Sequence, residues 1–431
     1  MNPIAIVVSA LGIAGVAVLI QEPIRDGMRG SRDRESLPVQ ADLQVGLLTG
    51  GQDRHYAFGL ATALISRNVS LDVIGSDLVD GPEMHGTPRL RFLNLQGSMQ
   101  NAGVGTRLKK VLALYARLFY YAATAEPKIF HILWNNKVQA FDRTLLMLYY
   151  KMLGKKIVLT AHNVNAGRRD DKDSLLNSVT LKIQYRLADH IFVHTKKMKD
   201  ELEEQFHVGS AGVTIIPFGI NNAVPDTDLT RAEARHRLGI RDGERTLLFF
   251  GAIKPYKGLE YLVAAFQKIA KGRNYRLIIA GERKKGSEEY FDRIRQDIAR
   301  DASRKQIIQK IKFIPDGETE LYFKAADVAV LPYTEIFQSG ILFLAYRFGL
   351  PVIATDVGSF CESIIEGRTG FVCKPRDADD MASTIERYFA SDVFLDLEQR
   401  RQEIRDYASA RHSWDEVGDL TRDVYAGLLA R

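Results

Sequence analysis

Short apolar segments alternate with helix-length ones from Leu43 to Val372, and this alternation constrains the fold more than any other feature of the chain. Leu43 to Leu48, Leu71 to Ile74, Ile129 to Leu133, Ile157 to Ala161, Ile191 to His194 and Thr214 to Ile216 read as strands. A second series follows at Thr246 to Phe250, Tyr275 to Ala280, Ile311 to Ile314, Val328 to Leu331, Val352 to Ala354 and Gly370 to Val372. Apolar runs of this length without polar alternation suit strands covered on both faces, as in parallel sheets. Helical patterns near His55 to Ser66, Phe141 to Leu153 and Thr180 to Ala188 supply the crossovers between them. Right-handed crossovers build doubly wound α/β domains whose ligand crevice lies at the carboxyl ends of the strands. A chain of 431 residues exceeds what one hydrophobic core usually organises, so two such domains are expected, with a boundary near Pro217 to Asn222.

One loop carries a chemical signal. After the strand Val328 to Leu331 comes Pro332-Tyr333-Thr334-Glu335-Ile336-Phe337-Gln338-Ser339-Gly340, then a helical segment, then Gly349-Leu350-Pro351 and Glu362. A polar, glycine-bearing loop that opens a helix aims backbone N–H groups and the positive end of the helix dipole at one point. Such a point seats a phosphate.

The formal net charge is +6, with basic clusters at Arg25–Arg34, Arg107–Arg117, Lys151–Lys156 and Arg283–Lys285. No base-reading or aromatic-stacking module accompanies them, so nucleic acid is not expected as a partner; lipid surfaces and nucleotide diphosphates fit better. Cys361 and Cys373 are the only cysteines and lack metal or disulfide spacing, so both are expected to be inert thiols.

Residues 1–22 are largely apolar, with Arg25, Arg29, Arg32 and Arg34 following in a charged linker, 23–40. The run from Pro3 to Ile20 would span roughly 27 Å as a helix, and the charges after it predict an anchor that holds the rest of the chain at the cytoplasmic face. Between Gly105 and Tyr121, basic residues border an apolar helical face, which suits either an ordinary packing helix or one lying in a membrane interface. Together these suggest a membrane-associated acceptor.

Gly340 through Gly370 resembles the nucleotide-sugar-binding half of retaining glycosyltransferases with the GT-B architecture, of the group 1 or family 4 type. Phe250-Gly251-Ala252-Ile253-Lys254-Pro255-Tyr256-Lys257-Gly258, Ile279-Ala280-Gly281-Glu282, Pro217-Phe218-Gly219-Ile220 and Asp356-Val357-Gly358 through Glu362 match the same class. The resemblance implies an α/β, GT-B fold with two Rossmann-like domains, 41–218 on the acceptor side and 219–405 on the nucleotide-sugar side. A carboxyl-terminal helix, 406–431, is expected to return to the first domain.

The activity implied is transfer of a hexosyl group from a nucleotide-diphosphate sugar to a lipid-linked or other glycan acceptor in cell-surface polysaccharide synthesis. Lys254 and Lys257 would hold the diphosphate, Gln338, Ser339 and Gly340 the distal phosphate at the helix start, and Glu362 the ribose hydroxyls. Gly50 and Gly51 would line the interdomain cleft, and His162, at a strand end, would contact the donor sugar or the reacting region. Similar proteins often carry two glutamates separated by seven residues ahead of the Gly-x-Pro turn, but Ile336 and Leu344 stand at those positions, which puts Glu335 in doubt as a sugar contact and leaves a non-catalytic assembly subunit as the alternative. No Asp-x-Asp motif sits at a strand end, and Asp170-Asp171-Lys172-Asp173 lies in a polar loop, so neither a protein-held metal nor a cofactor is expected.

Overall fold

The computed structural model describes residues 43–98, 103–165, 167, 173–220 and 224–431. Its first sheet contains β1 (Leu43–Leu48), β2 (Val69–Gly75), β3 (Leu90–Asn94), β4 (Ile129–Ile132), β5 (Lys156–Thr160), β6 (His190–Val193) and β7 (Val213–Ile215). They lie in the order β3-β2-β1-β4-β5-β6-β7, and every pairing is parallel. The second sheet, β8 (Arg245–Phe250), β9 (Tyr275–Ala280), β10 (Ile307–Lys310), β11 (Val328–Leu331), β12 (Val352–Thr355) and β13 (Gly370–Cys373), runs β10-β9-β8-β11-β12-β13, also parallel. The central strands are buried along nearly their whole length because helices cover both faces.

In the first half, α1 (Arg54–Ile65) connects β1 to β2 on one face of the sheet. The connections α2 (Val104–Thr124), α3 (139–152, with a π-turn at its centre), α4 (Leu175–Leu187) and α5 (Lys196–Phe206) run the other way across the strand order and cover the opposite face. The second half follows with α6 (Arg231–Arg237), α7 (Leu259–Ile269), α8 (Glu288–Arg300), α9 (Asp316–Ala325), α10 (Gly340–Arg347), α11 (Ala378–Phe389) and α12 (Leu397–Arg411). Helix starts follow local chemistry: Thr230 and Glu233 form a reciprocal capping box on α6, and the side chain of Ser174 accepts from the N–H of Asn177 on α4.

The last helix, α13 (Trp414–Leu429), packs on α1 of the first half. Trp414 lies against Gly59 and Gly219, where any Cβ would stand within 2.3 Å of the indole, and its Nε1–H donates to the Ile220 carbonyl at 2.7 Å. Further along the helix, Tyr425 Oη meets His131 Nδ1 at 2.6 Å, and Arg67 binds Asp415 and Asp419.

Two strands differ from the sequence expectation. The edge strand β3 is absent from it because Arg91 and Asn94 interrupt the apolar pattern of a half-covered strand. The other edge, β10, occupies Ile307–Lys310 rather than Ile311 to Ile314; Ile308 pairs with Ile278, while Phe313 is left exposed. An edge strand covered on one side has a weaker apolar signature, and Ile311 and Ile314 read equally well by pattern alone.

The expectation of a membrane-spanning anchor is corrected. Among the described residues no helix is long and apolar enough to cross a membrane. The longest, α2, carries Arg107, Lys109, Lys110 and Arg117 in its 21 residues, and each cation is costly at a bilayer centre. The run 1–22 and the linker 23–40, on which the expectation rested, lie outside the described residues. The single-pass localisation at the cytoplasmic membrane is withdrawn with it.

Candidate functional site

At the carboxyl end of β8 the chain turns through Gly251 into the loop that carries Lys254 and Lys257. Gly258 ends this loop at φ +61°, and a Cβ there would stand 2.0 Å from the Pro332 carbonyl oxygen. Only glycine lets the two backbones approach this closely. The approach brings Lys257 to Tyr333: its Nζ donates to Tyr333 Oη at 3.0 Å and lies 4.8 Å from the ring centroid. Tyr333 Oη lies 3.4 Å from Ser339 Oγ, and Ser339 caps α10 by accepting from the Ile341 N–H at 3.3 Å.

Lys257, Tyr333 and Ser339 are all buried, so an ammonium, a phenol and a helix amino terminus stand in one line of contacts. They form one wall of a cavity of about 350 Å³ between the halves, together with Gln338 and Gly340. Tyr56 and Trp414 face it from α1 and α13, and Phe218 from the crossing segment. The Gln338 Oε1 atom is buried and has no partner among the described residues. A cation, N–H donors at a helix start and an adaptable amide are the groups that receive an anion. A larger groove, about 890 Å³, lies at the amino-terminal ends of β1, β2 and β3, and none of the candidate donor-binding or catalytic residues lines it. The chemistry of the lining, not the size, marks the smaller cavity.

Lys257, Gln338, Ser339 and Gly340 therefore meet at one cavity. The remaining candidates stand off its wall. Lys254 is partly exposed, with its ammonium 5.7 Å from the Tyr256 ring centre. Glu362 is exposed on a short helix, Phe360–Ser363. Gly50 and Gly51 adopt φ +58° and +69°, and a Cβ on either would strike the Trp134 and Asn135 carbonyls or Gln96. Their need for glycine is met within the protein itself.

His162 lies behind Tyr56, whose ring meets it edge-on at 4.6 Å, and stacks on Trp134 at 4.3 Å. Its Nδ1 is 3.2 Å from His194 Nε2, and its Nε2 has no partner among the described residues. Burial first, then the neighbouring His194 and His131, hold its pKa well below the ordinary value, so the ring is neutral. Ile336 and Leu344 line the cavity where similar proteins place carboxylates. Asp173 bonds Asn165 and Asn177, whereas Asp170, Asp171 and Lys172 lie outside the described residues.

Sequence reasoning missed Tyr333, Tyr56 and His55. Tyr333 sits inside the loop that drew attention, and its position directly after the strand-ending Pro332 was an available signal. Tyr56 and His55 follow Asp53, the α1 cap, and carry no motif. His55 Nε2 pairs with Asp316 Oδ1 at 3.2 Å, joining α1 of the first half to α9 of the second. The Asp316 carboxylate raises the His55 pKa and is itself lowered by His55. Both cysteines are free; burial comes first among the causes that push the Cys361 thiol up to about 11 and Cys373 to about 12, which keeps them protonated.

The family description "Glycosyl transferases group 1" matches residues 230–411, and "Glycosyltransferase Family 4" matches 49–224. The chain belongs to the group 1 glycosyltransferases with the GT-B fold. A D-inositol 3-phosphate glycosyltransferase of Pseudarthrobacter chlorophenolicus is 31% identical over 256 residues, 58% of this chain and 59% of that protein. The chain thus spans a little over half the length of that relative. Among solved structures, sucrose-phosphate synthase from Thermosynechococcus elongatus superposes with a TM-score of 0.73 at 20% identity, covering 90% of this chain and 99% of that one. Anabaena HepE in complex with UDP-glucose gives 0.69 at 15% identity, covering 89% and 100%. At these identities the structural likeness shows the fold.

Proposed function

We propose that the protein is a retaining glycosyltransferase that moves a hexosyl group from a nucleotide-diphosphate sugar to a lipid-linked saccharide in cell-surface polysaccharide synthesis. The observation that carries this reading is the Lys257–Tyr333–Ser339 line at the start of α10, inside a cavity between two Rossmann-like halves. Breaking the glycosidic bond builds negative charge on the departing diphosphate. A preorganised cation and N–H donors stabilise that charge, and one such donor lowers the barrier by roughly 3 kcal/mol.

In this mechanism Lys257 neutralises the diphosphate and Ser339 with the first N–H groups of α10 seats its distal phosphate. Gln338 turns its unpartnered amide oxygen toward a sugar hydroxyl. The leaving diphosphate takes the acceptor proton, so no side chain acts as base, and neither a metal nor a cofactor is required. Lys254 and Glu362 join the donor site through closure of the halves, and His162 joins it once Tyr56, which stands before it, swings aside. The complex of HepE with UDP-glucose supports a nucleotide sugar as donor.

The test is release of nucleoside diphosphate from a panel of nucleotide sugars in the presence of lipid-linked acceptor extracts, with the anomeric configuration of the product read by NMR. Turnover of one donor with retention, lost in Lys257→Ala, is the expected result. Ile336 and Leu344 in the cavity favour a second reading, a binding subunit without turnover. Donor binding without release, across donors and extracts, would establish it.

A further inference from the structure

Arg143, on α3, is only 7% exposed, and its guanidinium forms no ion pair with a carboxylate among the described residues. Its partners are two neutral amides. Nη1 donates to Asn177 Oδ1 at 2.7 Å and Nη2 to Gln139 Oε1 at 2.9 Å, while Nε is buried with no partner among the described residues. A buried charge in a folded protein is normally paired. Asp142 precedes Arg143 in the chain, but adjacent residues on a helix do not face each other, and Asp142 accepts instead from Tyr115 Oη at 2.9 Å and Asn136 Nδ2 at 3.2 Å. Burial holds the Arg143 pKa below the ordinary arginine value, yet a guanidinium keeps its proton. The backbone here, Asp142–Leu146, is the π-turn of α3, and such turns inside helices are frequent at functional sites.

Amides gather around this charge. Asn135 and Asn136 follow β4, Asn165 follows β5, and Asn177 stands in the first turn of α4, so all lie at the carboxyl edge of the first sheet, where the cleft opens. Asn177 Nδ2 donates to Asn165 Oδ1 at 2.9 Å, and Gln184 Nε2 donates to Asn135 Oδ1 at 3.0 Å. Asp173 is exposed at the rim, where it accepts from Asn165 and Asn177. Trp134, next to Asn135, stacks on His162, which lies behind Tyr56 of the donor cavity. A layer of rings therefore separates the amide cluster from the donor cavity. Amide side chains both donate and accept, which suits them to sugar hydroxyls.

From this we infer that Arg143 receives an oxyanion carried by the acceptor, a sugar carboxylate or a phosphate, with the surrounding amides taking the neighbouring hydroxyls. The unpartnered Nε–H and an adjacent Nη N–H form the planar fork that meets two oxygens of one anion. Two neutral oxygens answer only part of a full charge, and an oxyanion completes it. Gln139 is exposed and Asn177 partly exposed, so both amides can turn aside for the incoming group. The inference rests on the transferase reading and adds a chemical class of acceptor to it, an acidic or phosphorylated saccharide rather than a neutral one.

Ligand-observed NMR titration of the full chain with methyl glucuronide, glucose 1-phosphate and the neutral methyl glucoside tests it. At least one of the two acids should bind about thirtyfold more tightly than the glucoside, the scale of a hydrogen bond to a charged group. Tighter glucuronide binding assigns a sugar carboxylate, and tighter glucose 1-phosphate binding a phosphate. Arg143→Gln should reduce acid binding to the level of the glucoside and leave the melting temperature unchanged or raised, because it removes an unpaired buried charge. Arg143→Lys keeps the charge without the fork, should weaken acid binding about tenfold, and decides the matter if Arg143→Gln unfolds. Equal binding of all three ligands, binding of neither acid, or acid binding that survives in folded Arg143→Gln or is undiminished in Arg143→Lys overturns the inference. So does acid binding that Lys257→Ala abolishes, which would put the acid in the donor cavity. Nucleoside diphosphate release reports separately on the transferase reading: acid binding at Arg143 without turnover of any donor refutes the transferase alone, and turnover to neutral acceptors without acid binding refutes the Arg143 site alone.

Discussion

Replacing Tyr333 by phenylalanine removes one oxygen from the middle of the candidate site and leaves the ring that fills the core. Lys257 Nζ loses its 3.0 Å contact, and Ser339 Oγ loses the phenol 3.4 Å away. A hydrogen bond to a charged group contributes roughly 1.5–3 kcal/mol. With fewer partners the lysine stem is free to turn away from the diphosphate. Taking about 2 kcal/mol as the effect on diphosphate binding gives a loss of roughly 30-fold, at 1.4 kcal/mol per tenfold. Calorimetric titration with whichever nucleoside diphosphate binds the wild type measures it. In a double-mutant cycle with Lys257→Met, a coupling energy of about 1–2 kcal/mol is expected, because each single change already breaks the pair. Binding by Tyr333→Phe within twofold of wild type, while Lys257→Ala loses it, would show that the phenol does not orient the lysine.

Lys257→Ala should lower the rate of nucleoside diphosphate release by about two orders of magnitude, read as initial rates with the preferred donor. Trp414→Ala should destabilise the protein by about 3 kcal/mol, since the indole fills the space against Gly59 and Gly219; a melting curve that splits into two transitions would show the halves uncoupled. The His55–Asp316 contact contributes little, as Asp316 is partly exposed. Its sign is nonetheless defined. The raised His55 pKa makes the contact complete below the ordinary histidine pKa of about 6.5, and it fades as pH rises through the raised value. Small-angle scattering should therefore show the halves opening slightly as pH rises through that raised value, and His55→Ala should remove that dependence. His131 works in the opposite direction: buried between Tyr425 and Thr160, it is held down to about 3, so stability should fall as pH drops from about 6.5 toward that value. Melting midpoints from pH 7 to 4 should fall less steeply in His131→Gln.

Motifs that act through backbone were legible in the chain. Gly258, Ser339 and Gly340 announce a tight turn and a helix start because those jobs restrict residue type, and the structure places Lys257, Ser339 and Gln338 together at one cavity. His162 was legible as a strand-end residue, but pattern could not show that Tyr56 would stand before it and Trp134 stack on it. Gly50 and Gly51 were legible as a turn, yet the atoms that demand glycine there belong to Trp134, Asn135 and Gln96, some 45 to 85 residues away.

The alternation of apolar runs with helical segments by itself determined the two parallel sheets, because a strand buried on both faces cannot alternate and a parallel neighbour needs a crossover. Spacing also determined the helix start at Ser339, through the local competition for free N–H groups. What tertiary structure alone decided was which side chains share a cavity. The Lys257–Tyr333 pair exists because the backbone at Gly258 touches that of Pro332, and the His55–Asp316 pair because α1 of the first half meets α9 of the second. Each is a contact between residues far apart in the chain, where local propensity carries no information.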